Sequence, residues 1–175
     1  MVMVDPAAIA GPGPEPPAAE NAAAGRSDDL SILRELICDQ HRFFVEWYNG
    51  REPGHGAFES FERGLGAGFR LITPDGRTLE RGDVISFVRA NRGIEDGGFD
   101  IEIADVSIRA RGADLVVATY TEAQIRNNKQ TTRLSSAVFR SAPRQVSGVI
   151  WEHLHETWVD RKKTEQENTK SRGIR

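Results

Sequence analysis

"GVIWEHLHETWV", Gly148 to Val159, is the stretch on which the fold turns. Two histidines, His153 and His155, stand two apart between Trp151 and Trp158. Alternation of this kind is a period of two, the signature of a strand. Three earlier runs share it: "GFDIEIADVSIRARG" from Gly98, "ADLVVATYTEAQI" from Ala113 and "QTTRLSSAVFR" from Gln130. Short turns separate all four, so they predict an antiparallel meander.

Upstream the period changes to that of helices. In "SDDLSILRELICDQHRFFVEWYNG", Leu30, Leu33, Ile37, Phe44 and Trp47 or Tyr48 recur at helical spacing, and Leu36 and Phe43 widen the stripe. Ser27 is the expected N-cap, Asp28 and Asp29 suit the positive end of the helix dipole, and Asn49-Gly50 stops the helix. A short helix is expected around Phe58 to Arg63, then a small hairpin in "FRLITPDGRTLER" across a Pro-Asp-Gly turn. A third helix follows in "GDVISFVRANRG", with Val84, Ile85 and Val88 inward and Gly93 as its stop. Helices first and a meander last describe an α+β domain, with a curved antiparallel sheet wrapped around the long first helix.

Residues 1–26 are rich in Ala, Pro and Gly and have too little apolar surface to offset ordering entropy, so a disordered leader is expected. Residues 160–175 read as a charged, solvated tail, which leaves one domain over 27–159. A net charge of −3 and a pI near 5.8 give no basis for nucleic-acid binding through counterion release. No apolar run approaches the roughly 20 residues that a membrane span requires. The first residues lack the basic segment of a secretory signal. The single cysteine, Cys38, excludes an internal disulfide and fits a reducing, cytoplasmic setting.

The turn "RNNK" fixes one register. Asn127-Asn128 at its tip tolerates the positive φ of a two-residue hairpin, which sets Tyr120 opposite Ser135 and Glu122 opposite Arg133. The last hairpin turns near Pro143 and Arg144 and brings Arg133 beside His153 or His155. Simple alternation then gathers Trp151, His153, His155 and Thr157 on the face of Tyr120, Glu122, Arg133 and Ser135. Ile150, Leu154 and Trp158 point the other way with Glu152 and Glu156. A concave pocket closed by the first helix is expected on one side. On the convex side Leu134, Leu154 and Trp158 would be buried against a second copy.

The long helix, the Pro-Asp-Gly hairpin, the short helix and the meander ending in "WEHLHETW" resemble the nuclear transport factor 2-like superfamily. Within it, residues 28–159 are most similar to SnoaL-like proteins and to the calmodulin-dependent kinase association domain, where Trp151 and His155 fit the terminal spacing. The resemblance implies a conical α+β fold of cystatin-like type, a cavity between helix and sheet, and a homodimer. It implies no single reaction, because the superfamily holds isomerases, cyclases, dehydratases and assembly domains.

Three site chemistries follow. His-x-His on a strand points both imidazoles one way, but zinc takes three or four ligands and no further cluster exists, so no metal and no cofactor are expected. Acid–base chemistry would use His155 as base, Glu122 to orient it and Tyr120 as donor to an oxyanion. In steroid-isomerase relatives the base is an acid deep in the cone, and here Asp105 and Glu122 are the strand acids. Plain binding would hold a small organic acid or cyclic metabolite on Arg133, with Tyr120, Ser135, His153, His155, Trp151, Thr157 and Trp47 completing the contacts. "GLGAGF", Gly64 to Phe69, lacks the strand before it and the Lys-Ser/Thr after it that a phosphate loop needs, so it reads as a connection. Arg81-Gly82-Asp83 reads as a helix start, and Arg109 and Arg111 as solvent-facing.

Overall fold

A computed structural model describes residues 18–143 and 148–159, with side chains from Leu30 onward. The expectations for residues 1–17, for the 160–175 tail and for Arg144 lie outside the described residues.

Helix α1 (Ala18–Tyr48) begins nine residues before the expected cap at Ser27. The Ala-rich stretch ahead of Ser27 explains the difference, since alanine loses no side-chain entropy and lets a helix propagate. Its buried stripe runs Leu33, Ile37, His41, with Phe43 beside it. Helix α2 (Ala57–Gly64) buries Phe58 and Phe61. Strand β1 (Leu65–Ile72) follows directly and contains most of "GLGAGF", which is therefore a strand and not a connection. Leu65 and Phe69 anchor it in the core. A Cβ on Gly66 would lie 2.8 Å from Glu152 Oε2, so this glycine admits a carboxylate from the neighbouring strand.

Strand β2 (Thr78–Glu80) closes the small hairpin, and α3 (Arg81–Ala90) starts in a reciprocal capping box between Glu80 and Asp83. Arg-Gly-Asp is the first turn of this helix, as expected. The meander is β3 (Phe99–Arg111), β4 (Leu115–Arg126), β5 (Lys129–Ser141) and β6 (Val149–Trp158). The six strands form one unclosed sheet in the order β2-β1-β6-β5-β4-β3, in which β1 and β6 run parallel and the other pairs antiparallel.

The β4–β5 turn has both Asn127 (φ 50°) and Asn128 (φ 60°) in the left-handed region. Tyr120 pairs with Ser135 and Glu122 with Arg133, the register read from the sequence. The β5–β6 register departs from it. Arg133 pairs with Trp158, Ser135 with Glu156 and Ala137 with Leu154; past a shift between Val138 and Phe139, Phe139 pairs with Trp151. Glu152 is the extra residue, a bulge that reverses parity along β6. Trp151 therefore faces inward together with Leu154 and Glu156. His153, His155 and Thr157 face outward opposite Val138, Ser136 and Leu134.

The core under the sheet is strongly aromatic. Phe43 stacks on Phe61 at 5.4 Å and on Trp47 at 5.6 Å, and Phe139 meets Trp151 at 4.5 Å.

Candidate functional site

Between α1 and the inner face of β4, β5 and β6 lies a packed cluster of buried polar side chains. Tyr120 and Ser135 are wholly buried there, and Glu122, His41 and Glu156 nearly so. Strand alternation brings Tyr120 and Glu122 inward from β4 and Arg133 and Ser135 from β5. The bulge brings Glu156 in from β6. His41 descends from α1, one turn beyond Ile37.

Each ionised group has a specific partner. His41 Nε2 lies 3.3 Å from Glu122 Oε2, and its Nδ1 donates to the Ile37 carbonyl at 2.7 Å. Both ring nitrogens thus face acceptors, an arrangement that favours the doubly protonated imidazolium. Burial pushes the His41 pKa down, but the Glu122 carboxylate and the Ile37 carbonyl outweigh it and the net shift is upward. For Glu122 burial pushes up, yet His41, Arg133 and the 2.7 Å bond from Gln124 Nε2 bring it down to about 2. Although Arg133 stands opposite Glu122 in register, its guanidinium turns to Glu156: Nη1 donates to both carboxylate oxygens, at 3.1 and 3.0 Å. Glu156 is shifted upward, burial outweighing Arg133. Tyr120 lies well above the ordinary phenol range through burial and the two carboxylates, while the nearby Ser135 hydroxyl pulls the other way.

Among the described residues, three buried side-chain atoms have no hydrogen bond of ordinary geometry: Tyr120 Oη, Ser135 Oγ and Arg133 Nε. The first two lie close enough for the Ser135 hydroxyl to pull on the Tyr120 phenol, so only Arg133 Nε is without any polar neighbour of this kind. Arg133 is the cluster's outermost member, its side chain 19% exposed. Trp158 packs at its edge, 5.3 Å from the guanidinium, and its indole N–H donates to Asp75 in the Pro-Asp-Gly turn.

Of the residues singled out from sequence, Tyr120, Glu122, Arg133 and Ser135 come together. His155, His153 and Thr157 do not, because the Glu152 bulge puts them on the opposite face. An acid–base pair of His155 with Glu122 is therefore excluded by geometry. Trp151 is inward but at the far end of the sheet, against Phe139, where it floors a groove of about 350 Å³ between α1 and α2. Trp47 is a packing residue: its indole N–H donates to the Val88 carbonyl at 2.7 Å, and its ring lies against Phe43 and Phe58. Asp105 is exposed, at φ 55° in an irregular part of β3. Leu154 packs against the core instead of on the convex face, and Trp158 shares the side of Arg133.

His41, Glu156 and Gln124 are site residues that sequence reasoning does not single out. His41 has a visible signal, since it fills the vacant rung of the stripe between Ile37 and Phe44. Trp151 and Leu154 also give one: two inward residues three apart cannot share a face without an inserted residue.

No protein-family model matches the chain, and no curated protein matches it. Solved structures do. An NTF-2-like protein of unknown function from Pseudomonas aeruginosa is 26% identical, over 74% of this chain and 99% of that one, with a TM-score of 0.67. A cystatin-like protein from Caulobacter vibrioides is 12% identical over 79% of this chain and 95% of its own, with a TM-score of 0.59. The CaMKII hub of S. rosetta is 14% identical over 74% and 93%, at 0.55. The chain has the nuclear transport factor 2-like, cystatin-like fold. Among the described residues no helix is long and apolar enough to cross a membrane.

Proposed function

We propose that this chain is a homodimeric binding protein whose cone holds a small organic molecule against Tyr120, Ser135 and Arg133. The observation that carries this reading is a buried polar cluster in which the ionised groups are matched while Arg133 Nε, and the Tyr120 and Ser135 hydroxyls beyond their contact with each other, keep hydrogen-bonding capacity to spare. An unsatisfied buried donor or acceptor costs about 1–3 kcal/mol, so this spare capacity favours opening of the packed cluster to a ligand that meets it. The second copy would sit on the outer sheet face. Leu134 is 47% exposed there, between Thr121 and Thr157 in the cross-strand row, and the next row holds Thr119, Ser136 and His155. Arg109 and Asp105 bond to Thr119 and Thr121 at the margin of these rows, and an exposed leucine inside such a polar surround suits an isologous interface.

The test is a thermal-shift screen of small organic molecules on wild type and on Tyr120→Phe/Ser135→Ala. A ligand at a hundredfold excess over its Kd adds about 2.7 kcal/mol, a rise in Tm of roughly 5–10 °C. Hits should disappear in the double variant; hits that persist unchanged place binding elsewhere. Leu134→Asp should convert dimer to monomer in light scattering after gel filtration, and an unchanged mass overturns the outer-face interface.

A second reading, acid–base catalysis, is favoured by one feature. Glu156, its pKa raised by burial, shares the buried cluster with the Tyr120 hydroxyl, which would hold a developing oxyanion once a substrate opened the cluster. In that case turnover of a screen hit should vanish in Glu156→Gln. An assembly role, as the hub neighbour suggests, predicts the Leu134→Asp result with no ligand for any variant.

A further inference from the structure

We infer that the groove between α1 and α2 is a separate binding site, and that it takes a small amphipathic amine: an ammonium on an apolar body that also carries an oxygen acceptor. The site does not depend on the buried cluster of Tyr120, Ser135 and Arg133.

Room comes first. The groove holds about 350 Å³, within the range of sites that take small organic molecules. The sequence of α2 makes this space. Ala57, Ser60 and Gly64 stand three and four apart, so they share one face of the helix and leave it thin where it lines the groove. A Cβ on Gly64 would meet nothing within 4 Å. Phe61 of α2, Leu36 and Phe43 of α1, and Val149 and Trp151 of β6 make the floor apolar.

Two polar groups without partners set the chemistry. The indole N–H of Trp47 donates to the Val88 carbonyl and that of Trp158 to Asp75. That of Trp151 donates to no acceptor among the described residues, although the residue is only 4% exposed. A buried indole N–H calls for a partner and can only donate, so its complement is an oxygen acceptor on the occupant. At the rim Asp39 already holds Arg42, at 2.6 Å. The half-buried Glu46 carboxylate has no ion pair or hydrogen bond among the described residues. With Asp39 and Arg42 cancelling, Glu46 leaves the lining one negative charge. A cation can keep its head at that carboxylate and lay its apolar body along the aromatic floor. On α1 the lining runs from Leu36 to Glu46, about 15 Å of helix, which is room for a ring with a short arm.

Three probes that share a benzene ring and an ethylene arm test this: tyramine, phenethylamine and 3-(4-hydroxyphenyl)propionate. Binding to the full chain at neutral pH is measured by calorimetry and by NMR of the indole N–H signals, with Trp151 assigned through Trp151→Phe. Tyramine should bind most tightly and shift the Trp151 signal. Phenethylamine, which lacks the acceptor, and the propionate, which reverses the charge, should each bind about fivefold or more weakly. Glu46→Gln should weaken tyramine by a similar factor and leave the propionate no weaker. Gly64→Leu puts a side chain where a Cβ meets nothing, so it should melt close to wild type and bind none of the probes. Tyr120→Phe/Ser135→Ala should bind tyramine as wild type does; loss there puts the amine in the buried cluster and overturns the groove site. A propionate that binds as tightly as tyramine overturns the charge assignment. No binding of any probe at millimolar concentration overturns the site itself, and the reading of the buried cluster then stands or falls on its own screen.

Discussion

Glu122→Ala is expected to lower stability by about 3–5 kcal/mol, because it breaks a buried ion pair and leaves the His41 ring either charged without its partner or neutral with an unpaired nitrogen. His41 and Glu122 have side chains only 6% and 3% exposed, so solvent cannot take over the lost partner. Urea denaturation reads this as a fall in the transition midpoint. Replacing both partners with leucine should recover most of the loss, since a well-packed apolar pair of similar volume is often as stable as a buried ion pair. The pH dependence has a defined sign. Glu122 titrates near 2 when folded, below its ordinary 4.5, so its contribution is complete above 4.5 and is lost as pH falls towards 2. The His41 pKa is raised above 6.5, so its contribution is complete below 6.5 and is lost as pH climbs through the raised value. Wild type and Glu122→Ala should therefore differ most between pH 4.5 and 6.5 and converge towards pH 2. A loss below about 1 kcal/mol near pH 6, the size of an ordinary exposed ion pair, would show that the pair contributes little to the fold.

Deleting Glu152 should be more severe still. The bulge lets Trp151 face inward at one end of β6 while Leu154 and Glu156 face inward at the other. Without the extra residue one half of the strand must turn over. Either Trp151 leaves Phe139, on the scale of about 3–5 kcal/mol for losing a buried aromatic, or Glu156 leaves Arg133 and strands a guanidinium at similar cost. Each is a large part of the roughly 5–15 kcal/mol by which domains are stable. The expected result is loss of a cooperative thermal transition in circular dichroism. Glu152→Ala keeps the residue count and should melt close to wild type. A deletion variant that melts within a few degrees of wild type would show that β6 tolerates either parity.

The contrast between β4–β5 and β5–β6 explains how much the sequence reveals. Asn127-Asn128 carries its turn geometry in its own residue types, so Tyr120–Ser135 and Glu122–Arg133 are readable from the chain alone. The bulge at Glu152 has no residue type of its own. Only the three-residue step from Trp151 to Leu154 betrays it, and counting by twos passes over it. Strict alternation therefore sends His153 and His155 to the pocket and Glu156 to the surface. His41 escapes notice for another reason: a histidine in an apolar stripe reveals its role only when the carboxylate it meets, 81 positions away, is placed beside it. The helices, the hairpin and the α+β architecture depend on local periodicity and capping, and these are legible in the residues themselves.

The place of β6 between β1 and β5 has a consequence for biosynthesis. The two neighbours of this ribbon are made earlier, β1 some eighty residues before it, and on its other flank β1 has only the three-residue β2 to pair with. On a ribosome the β1–β2 hairpin must wait, its inner edge open to water or to a chaperone, until Trp158 clears the exit tunnel. Closure of the sheet is then a single late insertion, and amide protons of β1 should acquire protection together with those of β6 during refolding.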